Sequence, residues 1–289
     1  TTEIYTLSLH DALPIFEELN KHKASISNAL TLLNKGKNLG SVIKTNLPKN
    51  TFELVKSRYN YFEEQFNEDL LPVDKKSIWI ELKPFIKVLI MLNNKYLSVV
   101  ANPPYMGAKN MNEECKKYIE KEYPNSKSDL FAVFMEVCLN IIANSAYMSM
   151  INQQSWMFLS SFEKLRKSII ENYTISSMLH LGPNAFKEIS GEVVQSTAFV
   201  LINNNNLNIG TYFRLIDENT ENKELYFLDK KNIYKNILQS NFSKIPGSPI
   251  AYWVSEKVLK TFEGNYLLGE IEFCKKGADT SDNDKFLRF

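Results

Sequence analysis

A chain of 289 residues with 44% hydrophobic and 12% aromatic content can bury a sizeable core, which excludes disorder and leaves room for one large domain or two small ones. With 34 basic against 33 acidic residues there is no global positive field, so any attraction to nucleic acid has to be local. Cys115, Cys138 and Cys274 form neither a metal-ligand spacing nor a disulfide framework, and no apolar stretch is long and uncharged enough to span a bilayer; a soluble cytoplasmic protein with reduced thiols, no metal site and no membrane contact is expected.

Residues 1–15 read as translated adapter sequence rather than native chain and are set aside; His10 and Asp11 are neighbours only in sequence, which is no evidence of a catalytic pair. From Phe16 to about Asn94 the apolar spacing is helical but imperfect. Tyr59, Phe62, Phe66 and Leu70 recur at helical spacing, as core or partner-facing residues, and Ile78 to Leu92 forms a second apolar segment with Pro84 near its start. Tyr96 to Ala101 is an apolar run stopped by a double proline, so it predicts a buried strand. Asn112 is placed to cap a short polar helix through Tyr123. Ser128 or Asp129 caps an amphipathic helix in which Leu130, Phe131, Phe134, Val137, Cys138, Ile141 and Ile142 share one broad face for packing on a sheet.

Tyr147 to Ile151 reads as the next strand, with Asn152-Gln153-Gln154-Ser155-Trp156 at its carboxyl end; a helix follows over 162–172 and a strand over 175–181. Two more strands, 198–202 and 210–216, flank Asn203-Asn204-Asn205-Asn206, a polar tract that signals a hairpin. Past Asp217 a charged stretch looks like a linker, and Pro246-Gly247-Ser248-Pro249 breaks the chain before a helix through Phe262. No internal repeat occurs. This order predicts an α/β fold: the carboxyl half of a doubly wound, Rossmann-like sheet ending in an antiparallel hairpin.

The most informative residues are Asn102-Pro103-Pro104-Tyr105, placed at the carboxyl end of the strand over 96–101, the edge where open α/β sheets bind ligands. Asn102 offers a side-chain amide oxygen, Pro103 a carbonyl on stiff backbone, and Tyr105 a flat aromatic face. Two acceptors beside a stacking ring suit an aromatic amine. Gripping both N–H groups of such an amine draws its nitrogen towards a pyramidal, nucleophilic geometry without a strong general base.

Asn102 to Tyr105 resembles motif IV of the amino-group DNA methyltransferases that use S-adenosylmethionine. The strings Val99 to Gly107, Tyr123 to Phe131, Met150 to Ser161, Gly191 to Leu201 and Ile245 to Trp253 narrow the resemblance to the adenine-specific methyltransferases of BREX phage-resistance systems, the PglX family, over roughly residues 80 to 289. That resemblance implies S-adenosylmethionine as cofactor, double-stranded DNA as partner, other phage-defence proteins as possible associates, and a flipped adenine as substrate. It makes Asn102, Pro103, Pro104 and Tyr105 the catalytic loop. Asp129 with Phe131 matches motif V near the cofactor, Asn152 and Trp156 become candidates for lining the site, and Phe199 falls at the motif VIII position, against the target base. Lys109, Lys116 and Lys117 are candidates for phosphate contact beside a solvated-face alternative.

The implied organisation is a mostly helical part over 16–90, the methyltransferase core over 91–216 (motifs IV to VIII), a linker over 217–249, and the start of a target-recognition region over 250–289. The glycine-rich motif I and the acidic residue for the cofactor ribose are missing before Asn102, so the chain reads as a fragment truncated at both ends that is inactive by itself. Three alternatives stay open: a methyltransferase acting on RNA or on protein glutamine, a DNA-binding or assembly module with a degenerate site, and a restriction methylase with a nuclease fused outside this chain.

Overall fold

A computed structural model describes residues 21–183, 185 and 195–263. The segment 1–15, part of the string Gly191 to Leu201, Cys274 and the last stretch of the proposed recognition region lie outside the described residues. The chain divides into one unit through Tyr252 and a second from Trp253 onward; in the second, the described structure is one short helix, Glu256–Thr261.

The first unit opens with helices α1 (Lys23–Leu33), α2 (Gly36–Leu39), α3 (Lys49–Asn67) and α4 (Val73–Asn93). Their apolar faces meet around Trp79, which is wholly buried, stacks on Phe62 at 5.5 Å between ring centroids and meets Tyr59 at the same separation. The aromatic spacing thus marks core, except that Leu70 is exposed. α4 runs on through Pro84. Proline cannot donate to the carbonyl of Ile80 four residues earlier, and Ile80 lies on an exposed turn where water can satisfy it.

Six strands follow: β1 (Tyr96–Ala101), β2 (Ile142–Gln153), β3 (Thr174–Gly182), β4 (Ser196–Ile202), β5 (Ile209–Arg214) and β6 (Ile233–Leu238), in the spatial order β1-β2-β4-β3-β5-β6. β1, β2, β3 and β5 run parallel, while β4 and β6 run antiparallel to their neighbours. Between them come α5 (Glu113–Glu122), α6 (Leu130–Ile141), α7 (Glu163–Asn172) and α8 (Thr220–Leu228). The α/β fold with a mixed, crossover-connected sheet is as expected.

Four details differ from the sequence reading. β1 has the expected bounds but is an edge strand with Leu97 and Val100 each 79% exposed, not a buried one. The helix α6 spreads its apolar residues over two faces: it packs on β1 and β2, and its Val133 joins the helical core around Trp79 together with Leu130, Phe134 and Val137. The strands flanking the asparagine tract are not a hairpin, because β3 lies between them; the closing antiparallel pair is β5 with β6. Instead, Asn203 Nδ2 donates to the Ala143 carbonyl and Asn205 Nδ2 to that of Glu171, pinning a crossover. Finally, residues 217–249 carry α8 and the sheet's sixth strand rather than an open linker.

Candidate functional site

The carboxyl ends of β1, β2 and β3 and the amino end of antiparallel β4 share one edge of the sheet. Asn102 to Tyr105 leaves β1 there. Pro103 is buried and anchors the loop, whereas Asn102, Pro104 and Tyr105 are exposed. The Tyr105 and Phe131 rings meet in a T-shaped contact at 6.1 Å and 87°, and Tyr105 stays 39% exposed.

Asp129 braces this loop. Its Oδ1 accepts from the Met106 N–H at 3.1 Å and from the Phe131 N–H at 3.2 Å, the second of these capping α6. Backbone pairing adds the Leu130 N–H on the Met106 carbonyl at 3.0 Å and the Ala108 N–H on that of Ser128 at 3.1 Å. Burial raises the Asp129 carboxyl above its ordinary pKa, and the N–H groups of Phe131, Met106 and Leu130 pull it back. Burial also raises the Tyr105 phenol, with the nearby Asp129 charge acting in the same sense. Asn112 caps α5 as expected, its side chain accepting from the Cys115 N–H at 2.8 Å.

Beside the loop lies an open cavity of about 590 Å³, within the size range of small-molecule sites. Asp129 and Phe131 form one wall; Gln153 at the end of β2, with Gln154 and Ser155 just past it, forms another; Phe158, Phe162 and Gln195 complete it. A second cavity, of about 510 Å³, lies over an apolar face of the sheet and is lined by Asn102, Met150, Phe199 and Phe227 among others.

The structure therefore brings Tyr105, Asp129 and Phe131 together and sets Asn102 at the loop's base. Asn152 and Trp156, both wholly buried, flank the Gln153 to Ser155 wall without lining it. Asn152 Nδ2 lies 3.4 Å from Met150 Sδ; its Oδ1 and the Trp156 indole N–H have no hydrogen-bond partner among the described residues. Phe199 packs on Trp156 at 5.1 Å and lines the sheet-face cavity instead of the one beside the loop. Lys109, Lys116 and Lys117 are exposed, and Lys117 pairs with Glu113 one turn earlier at 2.5 Å. Gln154, Gln195 and Phe158 were not singled out by sequence reasoning. Adjacent glutamines just past a strand's carboxyl end were the available signal for the first.

Among the described residues no glycine-rich turn joins a strand to a helix: Gly36 opens α2 and Gly40 opens the turn after it. No helix there is long and apolar enough to cross a membrane.

Residues 7–186 match the model of the Eco57I restriction-modification methylases, a range that begins inside the segment set aside as adapter-like. The chain is 41% identical over 265 residues to the adenine-specific methyltransferase BrxX of Escherichia coli O9:H4 (strain HS), covering 91% of this chain and 22% of that protein. It is 44% identical over 217 residues to the adenine-specific methyltransferase PglX of Lacticaseibacillus casei (strain Zhang), covering 72% of this chain and 18% of that protein. The chain thus spans about a fifth of the length of these relatives. Among solved structures it is similar to the DrdV–DNA complex, at 16% identity and a TM-score of 0.44, over 63% of this chain and 20% of that one.

Proposed function

The chain belongs to the Eco57I restriction-modification methylase family, and we propose on that footing that it supplies the target-amine site of an adenine-specific DNA methyltransferase working in BREX phage defence or restriction-modification. S-adenosylmethionine is the proposed donor, and supplies an electrophilic methyl carbon on a positively charged sulfur. The described residues hold no glycine-rich cradle for that donor, so the grip on it is not assigned to them.

The residues of this chain act on the acceptor. Asn102 Oδ1 and the Pro103 carbonyl take the two N–H groups of the adenine amine, which frees the nitrogen lone pair for attack. Tyr105 offers its exposed ring to the flipped base, and stacking of about 1–3 kcal/mol helps offset the cost of unstacking it from the duplex. The methylated nitrogen sheds its extra proton to solvent, and Asp129 holds the Met106 and Phe131 N–H groups and so fixes where the loop lies.

The observation that carries this reading is the exposed loop with a buried Pro103 at the sheet's carboxyl edge, its Tyr105 ring propped on Phe131 beside a cavity that can admit a base. The same grip accepts any planar amine or amide; adenine in DNA is favoured by the family and by the adenine-specific relatives. Asn102→Ala in the full-length gene product should abolish methyl transfer to DNA while leaving its circular dichroism spectrum unchanged. Retention of the wild-type rate would refute the assignment.

A further inference from the structure

His180, 2% exposed at the carboxyl end of β3, links the core to the cavity wall. Its Nε2 lies 2.7 Å from Gln154 Oε1 and its Nδ1 3.0 Å from the Tyr252 hydroxyl. A carboxamide oxygen only accepts, so Nε2 carries the ring proton and Nδ1 accepts from Tyr252. The amide nitrogen of Gln154 in turn donates to Gln195 Oε1. The donors run in one direction, from Tyr252 through His180 and Gln154 to Gln195. Burial brings the His180 pKa down to about 4, with Arg214 and Lys223 acting in the same sense and Asp217 against it, so the ring stays neutral near pH 7.

A glutamine amide is an acceptor at one end and a donor at the other, and rotation about its last torsion interchanges them. In this row Gln154 cannot turn alone. Turning it would set its NH₂ against the His180 N–H and its oxygen against Gln195 Oε1, so the row reverses only as a whole, with both amides turned and the His180 proton moved to Nδ1. Gln195, with its oxygen engaged, has its NH₂ donor left to offer the cavity it lines.

The geometry points to Gln195 as a residue that reads an acceptor ring nitrogen of the target adenine beside its exocyclic amine, with Gln154, His180 and Tyr252 as positioning residues that couple the orientation of its amide to the buried core. This rests on the cavity receiving the flipped adenine, as proposed above. A donor offered to N1 or N7 would complement acceptors on the exocyclic amine between them, and would convert a shape-fitting pocket into one that senses hydrogen-bonding pattern.

The test uses the full-length gene product and duplexes carrying adenine, 1-deazaadenine or 7-deazaadenine at the methylated position, each analogue keeping the amine while removing one acceptor. The wild type should prefer adenine over one analogue by about tenfold in kcat/KM, the scale of one hydrogen bond. Gln195→Ala should erase that preference. Tyr252→Phe should reduce it while keeping the ring stack on Tyr212, 4.7 Å between centroids at 11°. A merely structural lesion lowers the rates on adenine and analogue by one common factor and leaves the preference intact, and that outcome overturns the inference. So does a wild type that accepts both analogues as readily as adenine. A wild type without methyl transfer to adenine overturns the underlying function instead.

Discussion

Replacing Arg166 by Met should destabilise the first unit more than any single surface change, and replacing it by Lys should not rescue it. Arg166 is 1% exposed on α7, and its guanidinium donates to four backbone carbonyls: Trp156 at 2.9 Å, Leu159 at 2.5 Å, Gly247 at 2.6 Å and Ser248 at 3.2 Å. Those carbonyls belong to the segment after β2 that carries the cavity wall and to the Pro246–Pro249 turn. The Trp156 and Ser248 contacts are fully buried. Each carbonyl stripped of its donor there costs about 1–3 kcal/mol, so Arg166→Met loses roughly 2–6 kcal/mol, less what is regained by no longer burying a cation. A net loss of about 3 kcal/mol lowers the melting temperature by about 6–12 °C in a unit of this size. Lysine keeps the charge but concentrates its donors at one point, which cannot span carbonyls on two separate segments. Thermal unfolding followed by circular dichroism measures both variants. An Arg166→Lys chain melting within about 2 °C of wild type, below the shift expected for 1 kcal/mol, would refute the argument that the planar fork is what joins the segments.

In the full-length gene product, Tyr105→Ala should weaken binding to target DNA by about 5- to 150-fold, the equivalent of a 1–3 kcal/mol base stack, while Tyr105→Phe stays within about threefold; equal affinities for the two variants in a titration would dismiss the stacking role. Asp129→Ala removes an acceptor shared by Met106 and Phe131 and should cost about 1–2 kcal/mol in urea denaturation, whereas Asp129→Asn keeps that acceptor and should cost under about 0.5 kcal/mol. Matching losses would mean that the charge, not the acceptor, braces the loop. His180, with a folded pKa of about 4 against about 6.5 unfolded, binds fewer protons folded than unfolded between those values. Its contribution to stability is therefore present above pH 6.5 and is lost as the pH falls towards 4, up to about 3 kcal/mol. His180→Phe should flatten that part of the denaturation-against-pH curve; an unchanged slope would show that other groups set it.

What could be read from the sequence was whatever depends on near neighbours. A double proline after an apolar run marks a strand end wherever the strand sits in the sheet, so β1 and its loop were placed correctly. Asn112 and Asp129 announce helix starts because a cap bonds within three residues of itself. Burial of β1 was misjudged because an edge and a centre strand can carry the same residues, and only the number of neighbours distinguishes them. The asparagine tract says that the chain turns but not what it pairs with next; the hairpin expectation failed because β3 intervenes. Nor does any local pattern mark Arg166 or His180, whose partners lie as far as 82 and 72 residues away in the chain.

The same distinction separates the two halves of the candidate site. The loop proposed to grip the amine is four consecutive residues, so its donors and acceptors can be read directly from the sequence. The cavity wall exists only through strand register. β4 enters the sheet antiparallel, so its first residues arrive at the edge where β2 ends; Gln153 stands opposite Ser196, and the Gln154 N–H meets the Gln195 carbonyl at 2.8 Å. A slip of one residue would turn β4's side chains to the other face, removing Thr197 from the Leu179 carbonyl it bonds at 3.1 Å and separating the two glutamines. Phe199, opposite Met150 on β2 and Met178 on β3 and packed on Trp156, holds that register by filling the core. Shortening Phe199 should therefore lower stability, and under the proposed role of Gln195 it should weaken recognition of the base with it.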